Sequence, residues 1–180
     1  MTKCAAIRYN RAVPLTEAMR GPVTRPRSLD PIDRGIIEAL QENGRTPFRS
    51  IAARVGVAEA TVRARYGRLV DDGILLVTGV TNPLGLGFEA QAMIGIKTSG
   101  SPEPVADEIA GWDEASYVVV AAGRFDLLVE VVCDDHRHLL ELTTRLREVE
   151  GVVSTETFPY LSLAKQVYAW GTHLVEEENA

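Results

Sequence analysis

Apolar residues change their period once along the chain, near residue 89. Before it, Ile32, Ile36, Ile37 and Leu40 recur at three- and four-residue steps, which predicts a helix with one buried face. Asp30 is placed to cap it, Pro31 fits the first helical position, Asp33 falls in the first turn and Gly44 follows as a stop. A second start comes at once, with Thr46 as cap, Pro47 at the first position, and Phe48, Ile51, Ala52 and Val55 inward. Gly56 ends that helix after barely two turns. The stretch "AEATVRARYGRLVDDG" then sets Val62, Tyr66 and Leu69 on one face and stops at Gly73. Three short helices with a glycine turn between the last two predict a helix-turn-helix. "ILLVTGVTNP" reads as a strand and turn, a wing leading into the "LGLGF" join at 84–88.

Beyond the join the pattern predicts a strand at about 89–98, a helix at 102–111 and a strand at 115–122. A strand at 126–133, a helix at 134–149 and a strand at 152–161 follow. That order is βαββαβ, the split ferredoxin-like arrangement. "AKQVYAW" at 164–170 adds a further candidate strand, and "EEENA" is expected to fray. The fold class is therefore α+β: a winged helix-turn-helix domain over 29–80, a linker at 81–88, and a ferredoxin-like domain over 89–170. Residues 1–28 read as a basic, disordered tail and 171–180 as an acidic one.

Charge sharpens this division. Residues 1–80 hold 13 Lys and Arg against 8 Asp and Glu, a balance of +5, and residues 81–180 hold 6 against 17, a balance of −11; together they give the −6 of the chain. Only the front half suits a polyanion. No apolar run approaches the length of a membrane span, and the start lacks a signal-peptide core, so a cytoplasmic protein is expected. Two distant cysteines, Cys4 and Cys133, fit a reducing compartment.

A helix that enters the major groove reads DNA with the face opposite its core stripe. With Val62, Tyr66 and Leu69 inward, the 100° step turns Ala60, Arg63, Ala64, Gly67 and Arg68 outward. Arg63 is best placed to pair with guanine; Arg68, further along, and Arg65, on the flank, suit phosphates or internal pairing. With Thr61, these residues (Ala60, Arg63, Ala64, Arg65 and Arg68) make up the candidate DNA-binding set.

The stretch 29–74 resembles the helix-turn-helix domain of the Lrp/AsnC family of transcription regulators. The resemblance rests on Leu29-Asp30 with Asp33, Ile36 and Leu40, Ile51-Ala52, and Val55-Gly56-Val57. It continues through Thr61-Val62, Arg65, Arg68-Leu69 and Gly73-Ile74, and extends to about residue 170. Ala58 is a departure, standing where the family commonly has a capping serine; its absence costs roughly 1 kcal/mol of helix stability. The resemblance implies that the acidic half is a RAM domain, which dimerises and binds amino acids. Gly123-Arg124-Phe125-Asp126 corresponds to that family's glycine turn. Gly123 is expected at positive φ, Phe125 against a neighbour or ligand, and Asp126 facing a ligand ammonium group. Arg124 replaces the acid of many relatives and is open to two roles, favouring an acidic ligand or pairing with Glu156 and blocking the site. Thr155, Thr157 and Phe158 complete the candidate effector set.

The expected partners are double-stranded DNA, a small-molecule effector and further copies of the chain: a homodimer that assembles to a tetramer or octamer. No metal, cofactor or catalytic residue is expected. Asp134, Asp135, His136 and His138 read as a helix start, because the two histidines diverge by 200° on the wheel. Two rival functions share this scaffold: an effector-independent architectural DNA-binding protein, and an enzyme resembling siroheme decarboxylases. The acidic back half argues against a polyanionic porphyrin.

Overall fold

A computed structural model describes residues 29–168 and Thr172. The expected tail at 1–28, the expected tail at 171–180 apart from Thr172, and the last residues of the candidate strand at 164–170 lie outside the described residues. The chain forms two compact units: 29–79, with 166–168 and Thr172, in one, and 80–165 in the other.

The first unit holds α1 (Pro31–Glu42), α2 (Phe48–Val55) and α3 (Glu59–Asp71). Asp30 caps α1, its carboxylate accepting from the N–H groups of Ile32 and Asp33 at 2.9 Å each. Ile36, Ile37, Leu40, Ile51, Ala52, Val62 and Leu69 close the core. Two helix boundaries differ from expectation. α1 ends on an extended Asn43, and Gly44 has no positive φ. Pro47, not Thr46, takes the cap position of α2. The Thr46 hydroxyl instead donates back to the carbonyls of Asn43 (2.7 Å) and Ala39 (3.2 Å), closing the end of α1. Gly56 makes the turn between α2 and α3 at φ 73°, a conformation that a side chain resists.

The expected wing strand is absent. Residues 75–82 belong to no ladder, and the N–H groups of Ile74 and Leu75 turn back to the Leu69 carbonyl, ending α3. A β-prone sequence becomes a strand only where another strand supplies partners, and none of the described residues does so here. Residues 164–168 are likewise unpaired.

The second unit is a four-stranded antiparallel sheet in the order β2-β3-β1-β4. The strands are β1 (Ala90–Thr98), β2 (Ala115–Val120), β3 (Leu127–Cys133) and β4 (Val152–Pro159). α4 (Glu103–Ile109) and α5 (His136–Glu148) supply the crossovers of the βαββαβ order. Ala92, Ile94 and Ile96 of β1 face the helices, beside Leu127, Val129 and Val131 of β3. They bury against Val105, Ile109, Leu139, Leu142 and Leu146. Alternation then sends Met93, Gly95, Leu128, Glu130 and Val132 to the opposite face, which no helix among the described residues of this unit covers.

Candidate nucleic-acid interface and sheet-turn site

α3 separates its three arginines. Arg63 leaves the helix with 66% of its side chain exposed, whereas Arg65 is only 22% exposed. Ala60, Ala64 and Arg68 are exposed beside Arg63, and Thr61 is half-buried. Arg63 is held rather than free: its Nη2 donates to Glu59 Oε1 at 3.0 Å, and its guanidinium lies 5.2 Å from the centre of the Phe48 ring. Phe48 in turn packs on Tyr66, with centroids 5.0 Å apart. Arg68 forms no ion pair among the described residues, and neither do the exposed Arg45, in the loop between α1 and α2, and Arg49, in the first turn of α2. Those last two were missed from the sequence, although their basic character next to a helix-turn-helix was the available signal.

Arg65, expected on the flank, takes the internal one of its two expected roles and not the phosphate contact. It donates to Asp30 and, at 3.0 Å, to Asp33, tying the middle of α3 to the first turn of α1. Asp33 is 7% exposed, and a carboxylate so placed demands a countercharge. Hydrogen bonding from Arg65 is the main cause that holds Asp30 below the usual carboxylate range, and Asp30 raises Arg65 in return. As expected, Ala58 gives α3 no side-chain cap.

The turn at 123–126 is built around Asp126. Its carboxylate accepts from the Thr98 N–H at 2.8 Å and from Lys97 Nζ at 2.9 Å, while its own N–H donates to the Ile96 carbonyl. These bonds, the Thr98 N–H first, lower its pKa. The carboxylate expected to face a ligand is therefore already engaged within the chain. Gly123 is also corrected: its φ is not positive, and a Cβ there would meet nothing within 4 Å. The glycine with a structural demand beside this turn is Gly95, where a Cβ would lie 2.6 Å from the Phe125 ring. Phe125 lies over that gap and meets Phe158 edge-on, centroids 6.1 Å apart. Arg124 pairs with Glu156 at 2.8 Å, the second of its two expected roles, and lies 5.3 Å from the Phe125 centroid.

The expected effector set is split between the two faces of the sheet. Arg124, Phe125 and Phe158 share the open face with Gly95 and Glu156. Thr155 and Thr157 pair with Ile96 and Ile94, so they point to the helix side, where Thr155 accepts from Arg147 Nε at 3.2 Å. On the open face Glu130 accepts from Gln91 (3.2 Å) and from the Tyr160 hydroxyl (3.0 Å). Burial and the nearby Glu130 push the Tyr160 phenol up to about 12. Around them Tyr117 and Phe158 are exposed, and Met93, Leu128 and Val132 half-buried.

A cavity of about 600 Å³ on the helix side is lined by Trp112, Glu114, Arg145 and Glu148. Arg145 stacks on Trp112 at 3.7 Å and donates twice to Glu114. Asp135 caps α5, and His138 reaches Glu114 at 3.3 Å. Among the described residues no group of three or more His, Cys, Asp or Glu could hold a metal ion.

A three-helix unit with a helix-turn-helix, followed by a split βαββαβ sheet, defines a class of two-part chains. The AsnC-type helix-turn-helix domain matches residues 29–70, and the Lrp/AsnC ligand binding domain matches 91–170. An HTH-type transcriptional regulator of Pyrococcus horikoshii is 33% identical over 151 residues, covering 82% of this chain and 96% of its own length. The structure of Escherichia coli AsnC aligns with a TM-score of 0.68 at 25% identity, over 79% of this chain and 99% of its own. A Neisseria meningitidis regulator solved in complex with L-Met aligns at 0.69 and 23% identity, over 78% and 94%. The chain belongs to the Lrp/AsnC family of transcriptional regulators. Among the described residues no helix is long and apolar enough to cross a membrane.

Proposed function

We propose that this regulator binds DNA sequence-selectively as a homodimer or a higher assembly of dimers, and that a small effector such as an amino acid adjusts its affinity. The carrying observation is the division of the arginines on α3. Arg65 is spent on Asp30 and Asp33, while Arg63 and Arg68 stand on the exposed face. A guanidinium held on that face can donate two bonds to guanine O6 and N7, and free basic groups nearby meet phosphates. The open, half-apolar sheet face supports assembly, since the same face of a second copy would cover it. The ligand-binding-domain match and the L-Met complex of the Neisseria relative support an amino-acid effector.

One observation favours an effector-independent, architectural reading: Arg124 and Asp126, the charged groups of the turn, are both paired within the chain. Fluorescence anisotropy separates the two. DNA from upstream of the protein's own gene would be titrated beside a scrambled duplex at fixed physiological salt, with and without each of the twenty amino acids. Preferential binding that one or a few amino acids alter is the expected result. Preference indifferent to all twenty would favour the architectural reading, and no preference at all would overturn selectivity.

A further inference from the structure

Glu59 opens α3 one turn before Arg63, and its carboxylate is held on the same exposed face by the 3.0 Å bond from Arg63 Nη2. About half of its side chain is exposed. A lone acid would be expelled from a DNA groove by the phosphates. This one arrives already paired, and the pair is braced from α2 by the Phe48 ring beneath the guanidinium, which itself packs on Tyr66 of α3. The guanidinium spends one N–H on Glu59 and keeps others for a base.

We propose that Glu59 is a specificity-determining residue that reads cytosine beside the guanine read by Arg63. The inference rests on the proposal that α3 reads DNA. In the major groove a carboxylate can only accept, and the donors there are the N4 amine of cytosine and the N6 amine of adenine. Adenine carries its N7 acceptor next to that amine, which repels a carboxylate; cytosine does not. Thymine O4 and guanine O6 and N7 are acceptors and are rejected outright. Arg63 has the complementary preference, because guanine offers two acceptors side by side. A separation of four residues spans about 6 Å of helix, which sets the two bases within about two base pairs of one another.

In vitro selection from a random duplex library, with the full chain as wild type, Glu59→Gln, Glu59→Ala and Arg63→Ala, tests this. The wild-type motif should hold a cytosine within two base pairs of a guanine. Glu59→Gln should keep the guanine and lose the cytosine, with adenine rising, because an amide pairs with adenine N6 and N7. Glu59→Ala should keep the guanine and become indifferent at the cytosine. The expected change in relative affinity for cytosine over thymine is about tenfold. A Glu59 that serves only the helix dipole would lower the melting temperature in both variants and leave the motif intact, which overturns the inference while α3 still reads DNA. If wild type and Arg63→Ala select the same motif, or wild type selects none, the reading of α3 fails and Glu59 fails with it.

Discussion

On α3, Arg63 and Arg68 leave their helix on an exposed face, with Arg63 braced for use and Arg68 unpaired among the described residues. In the sheet unit, Lys97 and Asp126 are paired with each other, and Arg124 with Glu156. The helical unit presents donors outward and needs only a partner with acceptors. The sheet unit presents an apolar face whose charged rim is already satisfied, so a ligand there must displace an existing pair or meet groups from another copy. Readiness in one unit and latency in the other is a physical arrangement suited to a regulator whose second unit modulates its first.

The largest expected effect comes from removing the inward arginine. Arg65→Met strips the countercharge from the buried Asp33, so the melting temperature should fall by many degrees in calorimetry, whereas Arg63→Ala should leave it nearly unchanged. Equal melting temperatures would erase the distinction between inward and outward arginines. Next, Gly95→Ala drives a methyl into the Phe125 ring and should cost about 1–3 kcal/mol in denaturant unfolding. Gly123→Ala meets open space and should cost within about 0.5 kcal/mol. Any change in effector response of Gly123→Ala would then report on the ligand rather than on the fold.

The Asp126 pairing predicts a pH signature. Its folded pKa lies below the unfolded value of about 3.9, so its contribution is present above that value and is lost as pH falls through the folded one. Melting temperatures of wild type and Asp126→Asn should therefore differ at pH 6 and converge towards pH 2. Parallel curves over that range would remove the carboxylate from its structural role. A modest gain should come from Ala58→Ser, which restores the missing cap of α3 and should stabilise by about 1 kcal/mol.

The five helices and four strands were legible because each depends on local periodicity. What escaped depended on tertiary partners. The helical wheel put Arg65 on a flank, and its inward turn is decided by Asp30 and Asp33, some thirty residues away in sequence. Residues 74–80 have strand chemistry without a ladder to join. Two misses had signals that could have been used. Strand alternation alone separates Thr155 and Thr157 from Phe158. An isolated glycine within a strand, Gly95, is a sign of close approach, and it outranks the turn glycine at 123. The Arg124–Glu156 pair was readable from charge and position.

The central claim is that the exposed face of α3, led by Arg63, reads DNA sequence. The most direct measurement is the affinity of wild type and Arg63→Ala for the duplex that wild type selects, beside a scrambled duplex at the same salt. The account predicts that Arg63→Ala loses about tenfold or more of the preference while retaining binding to the scrambled duplex. An undiminished preference in Arg63→Ala would contradict it.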